Sequence, residues 1–382
     1  MTALILLASI SSCNSDDGID SGDETDKTWI QSSSDFAPEA SINQIAISRD
    51  GNTIAITDWD PNLKTTGTVK IFRKFVDEWQ QIGESLSGID DDKFGAAISL
   101  SADGNIVAVG APSYNDVTGE VFIYEYTQDT WEPTGQISGA QRFTSLGVDL
   151  ALNSDGSKIA IISKPLGRLG FNSVLSIYVQ SGSNWESVIN NFDNVTAVDV
   201  PLPSMAFSAE GNRVFLGYTH NTGFVDAYSV NGSALVSIGD RLVGENQLDW
   251  FGNIGINTSG STVAIGGTGY PGADYRGIVK VYQNNSGWEQ KGSSLYGEEL
   301  DDRVGKKVAL NEGASRLVVG AGIGISRSAF VRVYDFVEGD WNESLTISSN
   351  DIETFDQDLK LSDDGNTLVL LFGRKVEIWS FE

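Results

Sequence analysis

"ISLSADGNIVAVG", residues 98–110, joins an alternating apolar run to a β-branched run through a polar turn containing Asp-Gly. Asp-Gly supplies the positive φ that a tight hairpin needs, so the stretch predicts two short antiparallel strands. The phrase recurs as "IAISRDGNTIAIT" from residue 45, "LALNSDGSKIAII" from 150, "MAFSAEGNRVFLG" from 205, "IGINTSGSTVAIG" from 254, "VALNEGASRLVVG" from 308 and "LKLSDDGNTLVLL" from 359. The turn positions are Gly51, Gly104, Gly156, Gly211, Gly260, Ala314 and Gly365, separated by 53, 52, 55, 49, 54 and 51 residues. Seven copies at a near-constant period identify a repeat architecture, in which each unit buries its faces only against its neighbours.

Each unit reads as four strands. After strands a and b of the hairpin, a longer loop leads to strand c: Val69 to Phe72, Val121 to Tyr124, Val174 to Tyr178, Val225 to Tyr228, Ile278 to Tyr282, Val331 to Tyr334 and Val376 to Trp379. Strand d opens with Trp79, Trp131, Trp185, Leu235, Trp288 or Trp341. Recurrence at one phase marks these tryptophans as packing residues. Four short antiparallel strands repeated seven times predict an all-β, seven-bladed β-propeller. The seventh unit ends at Glu382 with strand c, while "TWIQ", residues 28–31, repeats the strand d phrase before any unit has begun. The N-terminal strand is therefore expected to close the last blade and leave no bare edge.

Composition narrows the function. The formal charge of −27 excludes a phosphate-backbone partner, because nucleic-acid binding depends on Lys and Arg releasing counterions. Forty-two glycines without a collagen period fit many tight turns. A single cysteine forbids an intramolecular disulfide, and the single histidine, His220, leaves neither a His-rich metal site nor a Ser-His-Asp triad. No metal or other cofactor is expected.

The apolar run of residues 3–10 is too short to span a bilayer and reads as part of an export signal. "ISSC", Ile10 to Cys13, resembles the lipobox of bacterial lipoproteins. That resemblance implies a signal peptide over 1–13, with Cys13 diacylated as the mature N-terminus. Residues 14–27 are acid-rich and hold one large apolar residue, Ile19, so they are expected to form a flexible tether. Acids in that position are similar to the surface-export signal of Bacteroidota lipoproteins. The implied location is the outer membrane, anchored by lipid alone, extending to the cell surface. The propeller occupies 28–382.

The stretch "DKFGAAISLSADGNIVAVGAPSYNDVTGEVFIYEY", residues 92–126, resembles the FG-GAP repeat of integrin α-subunit propellers, with Phe94-Gly95 opening strand a and Gly110-Ala111-Pro112 closing strand b. Leu146-Gly147, Phe251-Gly252 and Val304-Gly305 stand in similar places. The family's calcium loops carry several aspartates between strands a and b, because the cation takes six to eight oxygen ligands. Here that connection is a tight turn with one acid such as Asp50, Asp103 or Asp155, so the resemblance does not extend to those cation sites.

Length and variety are confined to the b–c and d–a connections, which share one face of a propeller and are where recognition is expected. The candidates on that face are Trp59, Asp60, Tyr114, Asp116, Trp250, Tyr270, Asp274 and Tyr275. Aromatic planes beside carboxylates suit sugar rings or a partner's basic side chains. The same aromatics could instead cap their own loops. Acid clusters "IDDDK" from residue 89, "EELDDR" from 298 and "NDIET" from 350 are expected to give a negative rim. The reading is a monomeric, non-catalytic scaffold for a glycan or protein ligand. Its alternatives are a carboxylate-dependent glycoside hydrolase or lyase and a calcium-dependent adhesion module.

Overall fold

The computed structural model describes residues 27–32, 42–58, 66–76, 78–89, 91–164, 173–192, 204–272, 274–322, 329–348, 357–372 and 375–382. Their strands form seven antiparallel sheets, each ordered a-b-c-d from one edge to the other. Blade two shows the plan: strand a is Ala97–Leu100, b Ile106–Ala111, c Glu120–Thr127 and d Thr130–Ser138. Among the described residues helix amounts to one turn, Tyr114–Val117, in which Asn115 and Asp116 are left-handed at φ 48° and 59°.

Apolar residues on both faces of the inner strands produce seven buried clusters, each between two consecutive blades. Every sheet face is thus covered by its neighbour, which a single unit could not achieve.

The ring closes as the repeat phase requires. Trp29–Gln31 pairs with the terminal strand Lys375–Phe381, aligning Trp29 with Phe381, Ile30 with Ser380 and Gln31 with Trp379. Flanking backbone bonds extend the pairing: Thr28 N–H to Glu382 O at 2.6 Å, Glu382 N–H to Thr28 O at 3.0 Å and Ser32 N–H to Ile378 O at 2.7 Å. Trp29 is buried, with its ring centroid 5.4 Å from that of Phe381. The Arg316 guanidinium lies over the Phe381 ring at 3.9 Å. Each backbone bond contributes on the order of 1 kcal/mol, and burial of the indole about 2 to 3 kcal/mol more.

A second closure runs round the axis at the a–b turns. The N–H of Ala102 donates to Ser154 O, Ser154 to Ala209 O, Ala209 to Thr258 O, Glu312 to Asp363 O and Asp363 to Arg49 O, each at 2.8 Å. The two remaining steps use a neighbouring donor: Asn257 Nδ2 to Glu312 O at 3.0 Å and Asp50 N–H to Ala102 O at 3.3 Å. This ring of bonds fixes the inner edges of all seven blades at one end of the central channel.

Candidate functional site

The b–c loops are tied to the following d–a loops. In the fifth blade's sector, Arg303 N–H donates to Tyr275 O at 2.8 Å, Val304 N–H to Arg276 O at 3.0 Å, Asp301 N–H to Asp274 O at 3.1 Å and Gly297 N–H to Gly277 O at 3.2 Å. Blade two repeats the stitch, with Ser145 N–H on Val117 O at 3.0 Å and Gly139 N–H on Gly119 O at 3.0 Å. Bonds of this kind hold the rim loops as one surface.

Four d–a loops share an unusual backbone. Asp91 and Lys93, Phe143 and Ser145, Leu248 and Trp250, and Asp301 and Arg303 are all left-handed, with φ between 50° and 67°. The residue between each pair is buried and bonds within the loop. Asp92 accepts from Ile89 N–H and Phe94 N–H, both at 2.8 Å, and Asp249 from Asn246 N–H at 2.6 Å and Glu245 N–H at 3.0 Å. Asp302 accepts from Glu299 N–H at 2.8 Å, and Thr144 Oγ1 from Gln141 N–H at 3.3 Å. In the described part of the expected negative rim Asp91, Glu298 and Glu299 are exposed, but not every acid of the clusters contributes. Asp92 and Asp302 are buried loop struts, because turns of this shape leave inward N–H groups that a carboxylate can satisfy. The "NDIET" segment lies outside the described residues.

The fixed backbone carries different side chains at one rim position: Lys93, Ser145, Trp250 and Arg303. Trp250 and Tyr275 come together, with centroids 5.4 Å apart, and the Arg303 guanidinium lies 5.2 Å from the Tyr275 centroid. Tyr270 packs on Tyr296 at 5.5 Å. Asp274 is exposed beside them. Leu248, Leu300, Val243 and Tyr296 add exposed apolar area in the same sector. Sequence reasoning did not single out these last four: Leu248 and Leu300 are isolated apolar residues in polar loops, and Val243 and Tyr296 are the exposed members of two-residue strands.

Tyr114 and Asp116 belong to another sector. Tyr114 is half-buried, edge-on to Phe122 at 5.5 Å, so it caps its own loop. Asp116 is exposed and faces Arg142 at 3.4 Å. Trp59 and Asp60, like Cys13, lie outside the described residues. In the a–b turns the acids serve the turn. Asp103 accepts from Ser101 Oγ at 2.7 Å, Asn105 N–H at 3.0 Å and Asn105 Nδ2 at 2.7 Å.

The feature that sequence reasoning missed is the central channel, about 330 Å³, lined by the a strands. Seven residues hold equivalent positions at the loop end of the a strands, Gln44, Ala97, Asp149, Ser204, Asn253, Lys307 and Asp358, polar in every case but Ala97, and of these Gln44, Ala97 and Asp149 line the channel. They form a polar tier one residue before each repeated core quoted above. The next inward tier is small, Ala46, Ser99, Ala151, Ala206, Gly255 and Ala309, apart from Lys360. Asp358 is buried, receives Leu359 N–H at 3.0 Å and lies 3.0 Å from Lys360 Nζ and 3.6 Å from Lys307 Nζ. Burial pushes its carboxyl up, but the two ammoniums and these hydrogen bonds outweigh that and hold it below its ordinary value. Asp149 lies on the opposite side of the balance. Loss of hydration raises it to about 6, only partly offset by Lys307, Leu150 N–H and Lys360.

No family model matches the chain, and no curated protein does. Solved structures do match. A chain of a mitotic checkpoint complex is 13% identical, with 98% of this chain and 99% of that chain covered at a TM-score of 0.62. The β-propeller domain of Cps50 (Swd1) from Myceliophteria thermophila is 10% identical, covering 93% and 98% at 0.59. A chain of Kuenenia stuttgartiensis hydrazine synthase is 12% identical, covering 87% and 94% at 0.57. The shared property is the propeller fold. This architecture carries unrelated functions, so function must be argued from sites.

Proposed function

We propose that the protein is an exported, lipid-anchored scaffold that binds a glycan or protein ligand through the b–c and d–a rim, without catalysing a reaction. The observation that carries this reading is the blade-five sector. There Trp250, Tyr275 and Arg303 stack on loops joined by backbone hydrogen bonds, with Asp274 and exposed apolar side chains beside them. A rigid aromatic and charged patch loses little conformational freedom on binding, which favours affinity per contact. The chain's charge of −27 favours a ligand with basic groups where that ligand is a protein. Cys13 and the apolar run before it support the anchor in this reading, with the ring carried at the outer membrane on the tether of residues 14–27.

The test uses the full chain carrying Cys13→Ala, presented to arrays of glycans and secreted proteins. A saturable ligand should be found, and Trp250→Ala with Tyr275→Ala should weaken it by about tenfold or more. A ligand unaffected by both substitutions removes the blade-five sector from the proposal. Turnover of a chromogenic glycoside by the same protein would favour the hydrolase alternative instead. Fatty-acid labelling of the unsubstituted chain, lost in Cys13→Ala, tests the anchor.

A further inference from the structure

The loop end of the central channel holds charges that the rim does not use. Asp149 from blade three, half-buried, lines the channel, and among the described residues its carboxylate receives one hydrogen bond, from Leu150 N–H at 2.9 Å. A carboxylate has about four acceptor positions, so most of its capacity faces the channel. On the blade-seven side, the Lys360 ammonium contacts both oxygens of Asp358, at 3.1 and 3.0 Å. An ammonium has three donors. Lys360 is the one long side chain in a tier of Ala, Ser and Gly, so it occupies the channel rather than a blade interface. Lys307 and, less strongly, Lys360 act on Asp149 through their charge, yet among the described residues no ion pair joins Asp149 to Lys360. Opposite charges that line one channel without pairing to each other leave room for a molecule carrying the complementary pair.

We infer that the channel mouth binds a small zwitterion of the α-amino-acid class, its ammonium on Asp149 and its carboxylate on Lys360. The site is distinct from the blade-five rim. Asp358 and Lys307 act as positioning residues, keeping Lys360 charged and directed inward. The channel's 330 Å³ lies at the lower end of the range for small-molecule sites. Net charge agrees as well. The four groups Asp149, Asp358, Lys307 and Lys360 sum to zero, so a simple anion or cation gains less than a molecule bearing both signs.

Titration gives a second handle. Asp149 must be ionised to hold an ammonium, and its carboxyl titrates at about 6 against Lys307, Lys360 and Asp358. Affinity should therefore be full above pH 7 and fall as the pH drops through 6. The remaining members of that tier, Gln44, Ala97, Ser204 and Asn253, do not titrate in this range.

The experiment is calorimetry of the full chain with free alanine, glutamate and lysine, and with propionate and ethylamine as half-ligands. At least one amino acid should bind one-to-one, with both half-ligands about tenfold weaker or worse, a difference of about 1.4 kcal/mol. Asp149→Asn, which removes a partly desolvated charge and is expected to fold, should lower that affinity by about tenfold or more. Lys360→Gln should do the same and keeps the test open if the first variant is unstable. No saturable heat with any of the three up to about 20 mM overturns the inference. So does unchanged binding in Asp149→Asn, and so does propionate binding as tightly as alanine, which would mark a plain anion site.

Discussion

The outer strands of the blades fall into two groups. In blades one, four and five, strand d is split: Glu78–Gln81 and Leu86–Ser87, Ala234–Ser237 and Leu242–Val243, Trp288–Gln290 and Leu295–Tyr296. In blades two, three and six it runs unbroken over nine residues with a register shift: Thr130–Ser138, Asn184–Phe192 and Asp340–Ser348. At each split the first residue still gives its N–H to strand c, as in Ile82 to Ile71 O at 2.9 Å, Ile238 to Ala227 O at 2.8 Å and Lys291 to Val281 O at 2.8 Å. Its carbonyl turns to the next blade, where a tryptophan takes it: Trp131 Nε1 to Ile82 O at 3.0 Å, Trp288 Nε1 to Ile238 O at 2.8 Å and Trp341 Nε1 to Lys291 O at 2.9 Å. After an unbroken strand the acceptor is lacking. Trp185 and Trp29 bury an indole N–H with no partner among the described residues, and blade four carries Leu235, which has no N–H to satisfy. Among Trp29, Trp131, Trp185, Trp288 and Trp341, one repeated residue thus does two jobs, packing in every case and clasping the previous blade where that blade's outer strand breaks.

Trp29 is the largest test of this division, because it belongs to the group without an acceptor and also closes the ring. Its stabilisation should be packing alone. Trp29→Ala is expected to cost about 3 to 5 kcal/mol, read from the urea midpoint, whereas Trp29→Phe should cost only a small part of that. An unchanged midpoint in Trp29→Ala would mean the terminal strand does not hold the ring together.

Next in size are the glycines that make the splits. Gly83, Gly239 and Gly292 follow the break at φ 65°, 67° and 72°, and a Cβ on Gly292 would meet Trp341 Cδ1 at 2.7 Å. Gly232, at φ 59° in a hairpin of blade four, has nothing within 4 Å. Gly292→Ala therefore combines backbone strain with a clash against the clasping ring and should cost roughly 2 to 4 kcal/mol. Gly232→Ala carries the strain alone, about 1 kcal/mol. Equal losses in the two variants would show that the split is not shaped around the tryptophan.

The sequence displays the ring plan and conceals this division. Seven evenly spaced turns and a strand d phrase in front of the first unit sufficed to place Trp29 against the last strand, since repetition reports directly on symmetric packing. Splitting depends on one residue four places after the tryptophan, or Leu235 in blade four, that opens strand d. "WQQIG", "LVSIG" and "WEQKG" have glycine there and split, while "WESVI" and "WNESL" do not. "WEPTG" has the glycine but also Pro133, and runs on through a bulge. A rule with that exception cannot be extracted from six copies without knowing which strands break. The channel tier was hidden for another reason. Its members vary from Ala97 to Lys307, and repeat reading attends to what recurs, whereas a site on the symmetry axis is made by what differs between copies. On the rim, residue type located the aromatic sector but could not separate Tyr114, which caps its own loop, from Trp250 and Tyr275, which share a surface.

The smallest effect separates the two groups most cleanly. Phenylalanine keeps most of the apolar area of tryptophan and removes the indole N–H. In Trp341→Phe the carbonyl of Lys291 loses its donor, so the variant should lose the net value of a hydrogen bond, about 1 kcal/mol, beyond the change in packing. In Trp185→Phe the N–H removed is buried and unpartnered, so its desolvation cost of about 1 to 3 kcal/mol disappears and offsets the lost ring area. Trp341→Phe should therefore be the less stable of the two when urea midpoints are compared at equal m. The same order should appear in tritium or deuterium exchange at the Trp341 indole, slowed by its bond relative to exposed indoles. If Trp185→Phe proves as destabilising as Trp341→Phe, the carbonyl at the split contributes nothing. The breaks in blades one, four and five would then reflect loop geometry rather than a clasp between blades.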